Sequence, residues 1–178
     1  MLFLLTGPIN SGKSSAVAQI AQRLREEKIA IGGIVSLPIL QSGIKIGFDA
    51  LCLSTRKTAN LARFKTLVRN PTLADIAIGQ WIIFVEGIKF CNQQIEETLQ
   101  NNPQIIIIDE IGPIELQGKG FRPVLDKILL GQEKLPFHLL LVVRISLVEE
   151  VRRLYSNRDF TIFNLQENLA DVILKKIR

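Results

Sequence analysis

Cysteine, tryptophan, tyrosine and histidine are all scarce in this sequence. Its 178 residues include two cysteines and one residue each of tryptophan, tyrosine and histidine. Cys52 and Cys91 are far apart and lack the spacing of a metal-binding motif, so we expect no structural zinc site. A thiol content this low is typical of proteins in a reducing compartment and does not indicate a disulfide-built secreted domain. We therefore expect a cytoplasmic protein.

Long apolar runs are missing as well. The longest unbroken ones, such as residues 105–108 and 139–143, are short, whereas a membrane-spanning helix needs about 20 residues. Residues 1–6 are apolar but have neither a basic n-region nor a small-residue cleavage site. We expect them to form a buried strand and not a signal peptide. No membrane partner is therefore predicted.

The bulk composition indicates a well-filled interior. Apolar residues make up 47% of the chain and the mean hydropathy is +0.25, which excludes a largely disordered protein. The length fits one domain over residues 1–178. The net charge of +5 is compatible with nucleic acid or with a pocket for a polyphosphate. Nucleic acid is the less expected partner, because one small domain offers no second binding module.

Strand-like and helix-like segments alternate along the whole chain, which predicts an α/β fold with a mainly parallel sheet and helices on both faces. A break is expected at Pro38 and Gly43, before the second strand of a hairpin, and Ser146 is predicted to cap a helix over residues 147–155. Residues 55–80, which hold most of a basic cluster, are interpreted as a mobile segment over the site. The predicted strands are 2–6, 29–37, 44–53, 81–86, 105–108, 137–144 and 160–163. The predicted helices include 12–27, 120–130 and a terminal one, and residues 93–100 are predicted to be part of another helix.

The strongest motif is a complete match to G-x-x-x-x-G-K-[ST], placed between an apolar strand and an amphipathic helix. Its glycines allow a tight turn whose N–H groups point at phosphates, and the helix N-terminus adds unpaired donors. Lys13 is expected to reach the β- and γ-phosphates and Ser14 to ligate Mg²⁺. This motif predicts a P-loop NTPase. The predicted nucleotide-binding residues are Gly7, Pro8, Ile9, Asn10, Ser11, Gly12, Lys13, Ser14 and Ser15.

Two neighbouring carboxylates supply the second half of the predicted site. Asp109 and Glu110 follow the buried run 105–108, where the carboxyl ends of parallel strands form a ligand crevice. Asp109 is predicted to hold Mg²⁺ through water, with Ser14 as the direct ligand. Glu110 is predicted to be the base that polarises the attacking water, and a proton-abstracting group so placed contributes about 10²–10⁴ in rate. The alternative is that Glu110 pairs with a surface arginine.

The segment 109–116 reads Asp-Glu-Ile-Gly-Pro-Ile-Glu-Leu and resembles the Asp-Glu-Ile-Gly-x-Met-Glu-Leu signature of the thermophile-type nucleoside-triphosphatase family. Further similar pieces are Gly32-Gly33, Gly47-Phe48-Asp49, Leu61-Ala62-Arg63, Phe121 and Asn157-Arg158-Asp159. The resemblance implies a RecA-like sheet and slow hydrolysis of ATP, GTP and other nucleoside triphosphates with broad base tolerance. The chain departs from the family pattern at residues 9–11, at residues 43–45, where a more basic stretch is common, and at Ile114.

Three arginines are candidates to assist the transition state, in which charge develops on the γ-phosphoryl oxygens. Arg144 ends a predicted parallel strand and should face the crevice, Arg158 lies in the Asn-Arg-Asp piece, and Arg63 could belong to a lid. For each of them a surface salt bridge is the alternative. Glu115 could orient the loop after Asp109 or lie at the surface, and packing roles are expected for His138 and Trp81.

Two other functions stay open at this point. A nucleotide or small-molecule kinase shares the P-loop but needs an acceptor pocket and usually an arginine-rich lid, for which the basic stretch 56–69 is the candidate. A nucleotide-binding adaptor, like the GTP-binding helper of molybdenum-cofactor synthesis, would use the nucleotide to control a protein partner. Glu110 beside Asp109 favours water as the acceptor, and no guanine-reading Asn-Lys-x-Asp motif is present.

Overall fold

A computed structural model describes residues 1–131, 134–165 and 168–178. The β-branched and leucine-rich runs of the sequence form strands, and the segments with apolar residues at helical spacing form helices between them. The strands are β1 (Leu2–Gly7), β2 (Ile31–Gln41), β3 (Ile44–Cys52), β4 (Thr58–Phe64), β5 (Ile76–Ile78), β6 (Trp81–Ile83), β7 (Ile105–Ile111), β8 (His138–Arg144) and β9 (Phe160–Asn164). The helices are α1 (Lys13–Glu26), α2 (Val85–Leu99), α3 (Pro113–Leu116), α4 (Arg122–Gly131), α5 (Val148–Leu154) and α6 (Leu169–Ile177).

The strands form one sheet in the order β5-β6-β4-β3-β2-β7-β8-β1-β9. Five neighbouring strands pair in parallel, namely β2, β7, β8, β1 and β9. The other four extend the sheet from β2 by antiparallel pairing. This architecture confirms the predicted α/β class, with a mixed sheet of which one half is parallel.

Helices cover both faces of the sheet. Successive side chains of a strand point to opposite faces, so an apolar strand presents apolar side chains that must be buried on both of them. On β1, Phe3 and Leu5 pack in a core with residues of α1 and α6, while Leu4 packs in a second core with residues of α2, α4 and α5. β7 is buried on both faces, as expected for an inner parallel strand. No helix within the described ranges is long and apolar enough to cross a membrane.

The β2–β3 hairpin projects beyond the parallel half of the sheet. β2 pairs with β7 only as far as Ile34 but continues with β3 as its partner to Gln41. The break predicted at Pro38 is therefore wrong, since Pro38 lies inside β2 opposite Phe48. A proline is tolerated there because β2 has lost its partner on one side, and a proline at such an edge leaves no ladder hydrogen bond unmade.

Gly33 explains how β2 can lie so close to β7. It has a φ of 101°, and a Cβ at this position would lie 1.9 Å from the carbonyl oxygen of Ile107. Only glycine combines that left-handed backbone with that contact. The result is a tight junction between the parallel half of the sheet and its antiparallel extension.

Three local predictions need correction. Residues 55–80 are not a free segment over the site, because they contribute β4 and β5 to the sheet. The strand predicted for residues 81–86 ends at Ile83, because α2 already begins at Val85; this helix contains most of the segment 93–100 that was predicted to be part of a helix. Ser146 does not cap α5, which begins one residue beyond Leu147 without a side-chain cap, because residues 145–147 already form a 3₁₀ turn.

Candidate active site

The glycine-rich loop connects the carboxyl end of β1 to the first turn of α1. Gly12 occupies the N-cap position with a φ of 92° and provides no side-chain hydrogen bond. The first N–H groups of an α-helix have no partner within the helix. Because no side chain caps them here, these donors and the positive end of the helix dipole are available to an anion.

Lys13 lies inside the loop and not in solvent. The residue is 5% exposed, and Nζ donates to the carbonyl oxygens of Gly7 at 3.2 Å and Pro8 at 2.7 Å. An ammonium group has three donors, so one remains for a phosphate while the other two hold the group in place. The loop thus keeps a buried positive charge at its centre. Ile9, Asn10 and Ser15 are exposed along its outer side.

Asp109 is buried at the same edge of the sheet. It is fully shielded from solvent, and its Oδ2 accepts the backbone N–H of Ser36 at 3.2 Å. The Ser36 hydroxyl in turn donates to the Asp109 carbonyl oxygen at 2.7 Å. Burial raises the pKa of Asp109 to about 7, against the lowering effects of Ser14, the Ser36 N–H and Lys13. Ser36 was not predicted from the sequence.

Three buried oxygens at this edge have no hydrogen-bond partner among the described residues. They are Thr6 Oγ1 at the end of β1, Ser11 Oγ in the loop and Asp109 Oδ1. Buried polar atoms in native proteins are nearly always paired. The Ser14 side chain also lies close to the Asp109 carboxylate and lowers its pKa. The Ser14 hydroxyl and the Asp109 carboxylate, beside the buried Lys13, fit an anion that carries a metal ion.

The donor set fits magnesium better than a metal held by protein ligands alone. No cluster of three or more histidine, cysteine, aspartate or glutamate side chains suited to a metal occurs in the part of the chain that the structure describes. Mg²⁺ usually takes one or two protein oxygens and completes its shell with water and phosphate oxygens. Ser14 and Asp109 are two such oxygens, and both lie at the loop.

Glu110 is paired with Arg144. The Arg144 Nε donates to Glu110 Oε1 at 2.8 Å, and the two side chains are 35% and 30% exposed. Arg144 ends β8 directly beside Gly7 of β1, while the β7–β8 register shifts between Asp109 and Ile111. Such a shift re-aims a side chain. The salt bridge considered as the alternative role of each residue is therefore present, and it lies at the loop end of β8.

Glu115 organises the segment that follows Glu110. Its side chain is buried, Oε2 accepts the N–H of Gly112 at 2.8 Å and Oε1 accepts the N–H of Phe121 at 3.1 Å. Burial raises the Glu115 pKa to about 7, although these two N–H groups lower it. Of the two roles considered for Glu115, the structure supports the one in which it orients the loop.

The other two arginine candidates do not lie with the loop. Arg158 precedes β9, whose Phe160 pairs with Leu2 at the start of β1. At about 3.3 Å per residue, a strand of β1's length separates this end from the loop by roughly 20 Å. Arg158 bonds the Leu129 carbonyl there. The suggested action of Arg158 on the γ-phosphate thus has no support within one chain.

Arg63 is a residue of the sheet and not of a lid. It lies on β4, where its guanidinium donates to the carbonyl oxygens of Phe48 and Ala62 and to the side chains of Asp49 and Asn60. The basic stretch around it therefore contributes β4 to the antiparallel half of the sheet and does not form the lid that a kinase would need. His138 lies at the far end of β8, bonded to the Met1 amino group, and Trp81 stacks on Phe64.

Comparison with known proteins gives a consistent result. A family model described as NTPase matches residues 2–178. The nucleoside-triphosphatase THEP1 of Archaeoglobus fulgidus is 25% identical over 99% of this chain and 96% of its own length. That of Sulfolobus acidocaldarius is 30% identical over 70% of this chain and 68% of its length. The solution structure of a human cancer-related nucleoside triphosphatase shares the fold, with a TM-score of 0.69 and 24% identity over 98% of this chain and 94% of that one.

Proposed function

The chain belongs to the NTPase family, and on this premise we propose that it hydrolyses a magnesium-bound nucleoside triphosphate to the diphosphate and inorganic phosphate. Family membership makes the chain an enzyme that acts on nucleoside triphosphates. The metal, the products, the tolerance of several bases and the roles of individual residues are what we propose here.

One observation carries the proposal. A buried ammonium, Lys13 Nζ, lies in the same loop edge as three buried oxygens that have no partner among the described residues. Leaving such atoms unpaired costs about 1–3 kcal/mol each, and a ligand bound at the loop would satisfy them. A triphosphate with its metal supplies both the anion for the ammonium and the cation for the Asp109 oxygen.

The binding roles follow from these positions. The loop N–H groups and Lys13 hold the β- and γ-phosphates, while Ser14 and Asp109 are the residues that would hold Mg²⁺. When bound, the metal neutralises charge on the phosphate oxygens and helps to orient them. Ser36 fixes Asp109 by bonding both its carboxylate and its carbonyl oxygen. The Asp109 side chain is therefore already oriented before the metal binds.

Glu110 acts as the base. A water oxygen attacks the γ-phosphorus, the bond from that phosphorus to the bridging oxygen breaks, and the electron pair leaves with the diphosphate. The proton of the attacking water passes to the Glu110 carboxylate. In the structure that carboxylate accepts Arg144 Nε at 2.8 Å through Oε1, which fixes its orientation, and Oε2 would bind the attacking water.

Broad base tolerance is the simplest account of specificity. The sequence contains no guanine-reading motif, and every group assigned a role at the loop acts on phosphate, metal or water and not on a base. Selectivity among ATP, GTP and other triphosphates would then be weak. Recognition through the phosphates alone also agrees with the resemblance noted for segment 109–116.

A phosphate-release panel tests the proposal. Purified protein is assayed with ATP, GTP, CTP and UTP, with and without Mg²⁺ and without any acceptor, beside the Glu110→Gln and Lys13→Ala variants. We expect release from all four nucleotides only with Mg²⁺. Glu110→Gln should bind nucleotide but turn over about 10²–10⁴-fold more slowly, whereas Lys13→Ala should lose binding. Wild-type turnover by Glu110→Gln would refute the assignment of the base.

A further inference from the structure

Lys45 of β3 contacts the phosphate-binding loop from a distant part of the chain. Its Nζ donates to the Asn10 side-chain oxygen at 2.7 Å, across 35 residues of sequence. The same ammonium lies 4.9 Å from the centroid of the Phe48 ring. Lys45 belongs to the part of the β2–β3 hairpin that extends past the end of the β2–β7 pairing. The projecting hairpin therefore delivers a positive charge to the loop.

The strand order shows from which side Lys45 approaches the loop. In the sheet, β3 and β2 lie on the same side of β1 as β7, which carries Asp109 and Glu110. For Glu110 to act on the attacking water, the γ-phosphate must lie on this side of the loop. Lys45 thus reaches the loop from the side on which the reacting phosphate lies.

Lys45 forms one hydrogen bond, to Asn10, and no ion pair among the described residues. Lys13 spends two donors on loop carbonyls, and Arg144 spends its Nε on Glu110. No carboxylate in the described ranges forms a salt bridge with Lys45. A triphosphate carries more negative charge than one divalent metal and one lysine neutralise, and charge on the γ-phosphoryl oxygens is what the site must stabilise.

We propose that Lys45 is a further catalytic residue, which donates to the γ-phosphate while Asn10 holds its ammonium in position. The proposal rests on the proposed NTPase function. With three N–H donors, Lys45 can keep its bond to Asn10 and still contact two phosphate oxygens. It thereby takes the part of a cationic finger supplied within the same chain. Asn10 is a positioning residue in this arrangement.

The test compares Lys45→Ala with a charge-matched control, Lys57→Ala, which removes a lysine from the exposed turn after β3. Single-turnover rates and affinities for the diphosphate and for a non-hydrolysable triphosphate, both with Mg²⁺, are measured for each. We expect Lys45→Ala to lower the rate by about 100-fold. It should weaken triphosphate binding by about 10-fold and leave diphosphate binding within about 2-fold. Lys57→Ala should match the wild type.

Two further variants separate catalysis from support of the loop. Lys45→Arg, which keeps the charge, should recover most of the rate. Asn10→Ala should lower the single-turnover rate by about 3- to 10-fold, because the Lys45 ammonium keeps its charge but is no longer held in position by the Asn10 side chain. Equal loss of diphosphate and triphosphate affinity in Lys45→Ala, or a rate like that of Lys57→Ala, would overturn the proposal.

The affinity ratio of triphosphate to diphosphate is measured by binding alone. It therefore tests the role of Lys45 even if the wild type releases no phosphate. Absence of phosphate release by the wild type would instead contradict the proposed function.

Discussion

Replacing Arg144 by alanine should separate catalysis from stability more cleanly than any other single change at the site. Arg144 bonds Glu110 at 2.8 Å from a position beside Gly7. The substitution removes the group that fixes the base and leaves the loop and Asp109 untouched. We expect a folded protein that binds nucleotide and turns it over slowly.

The magnitudes follow from the exposure of the pair. With the two side chains 35% and 30% exposed, the ion pair should contribute at most about 1 kcal/mol to folding. For a chain of this size that corresponds to a change in Tm of no more than about 2–4 °C. A misplaced catalytic group can cost about 10² in rate. Arg144→Ala should therefore lower kcat by about 10²-fold with a nearly unchanged Tm.

A double-mutant cycle shows how Arg144 acts. Phosphate release and thermal unfolding are measured for Arg144→Ala, Glu110→Gln, the double variant and the control Arg152→Ala, which breaks the exposed pair with Glu149 on α5. If Arg144 acts only through Glu110, the double variant should be as slow as Glu110→Gln. A further loss would show that Arg144 also contacts the phosphate. Wild-type kcat in Arg144→Ala, or a fall in Tm of 10 °C or more, would refute the reasoning.

Two pH-dependent effects follow from the buried carboxyls. Since the Asp109 pKa is raised to about 7, the apparent affinity for a magnesium triphosphate, followed by calorimetry, should fall as the pH drops below about 7. Unchanged affinity at pH 5.5 would contradict this. The Glu115 pKa rises on folding from 4.5 to about 7, so its contribution to stability is present below about pH 4.5 and is lost as the pH rises through 7. Wild-type stability in urea should therefore decline over this range relative to Glu115→Gln, and parallel pH profiles would count against it. Glu115→Gln should itself cost about 1–3 kcal/mol, because one amide oxygen cannot accept from both Gly112 and Phe121.

The parts of the site built from contiguous sequence were predictable. The apolar strand, the glycine-rich loop and the amphipathic helix occur together in residues 2–27, and the carboxylates follow an apolar run that had to be an inner strand. The α/β class and the family resemblance are both confirmed. Local motifs of this kind carry their own geometry, because the turn, the helix N-terminus and the strand end fix the side chains within a few residues.

Long-range contacts explain what the sequence did not reveal. Ser36 bonds Asp109 across 73 residues, and nothing around Ser36 marks it as a partner. Arg158 lies in a segment that resembles the family. Only the parallel pairing of β9 with β1 shows that Arg158 lies near the start of β1, whereas the phosphate-binding loop follows the end of β1. Residues 55–80 have weak periodicity because the short strands β4 and β5 bury few side chains. The contact of Lys45 with Asn10 could not be predicted either, because it depends on how far the β2–β3 hairpin extends.

The most direct test of the account is a crystal structure of the protein with Mg²⁺ and a non-hydrolysable ATP analogue. The account predicts the β- and γ-phosphates within the loop formed by residues 7–14, the metal beside Ser14 and Asp109, and a water between Glu110 and the γ-phosphorus. Phosphates bound elsewhere, or a metal with no contact to the Asp109 side of the loop, would contradict it.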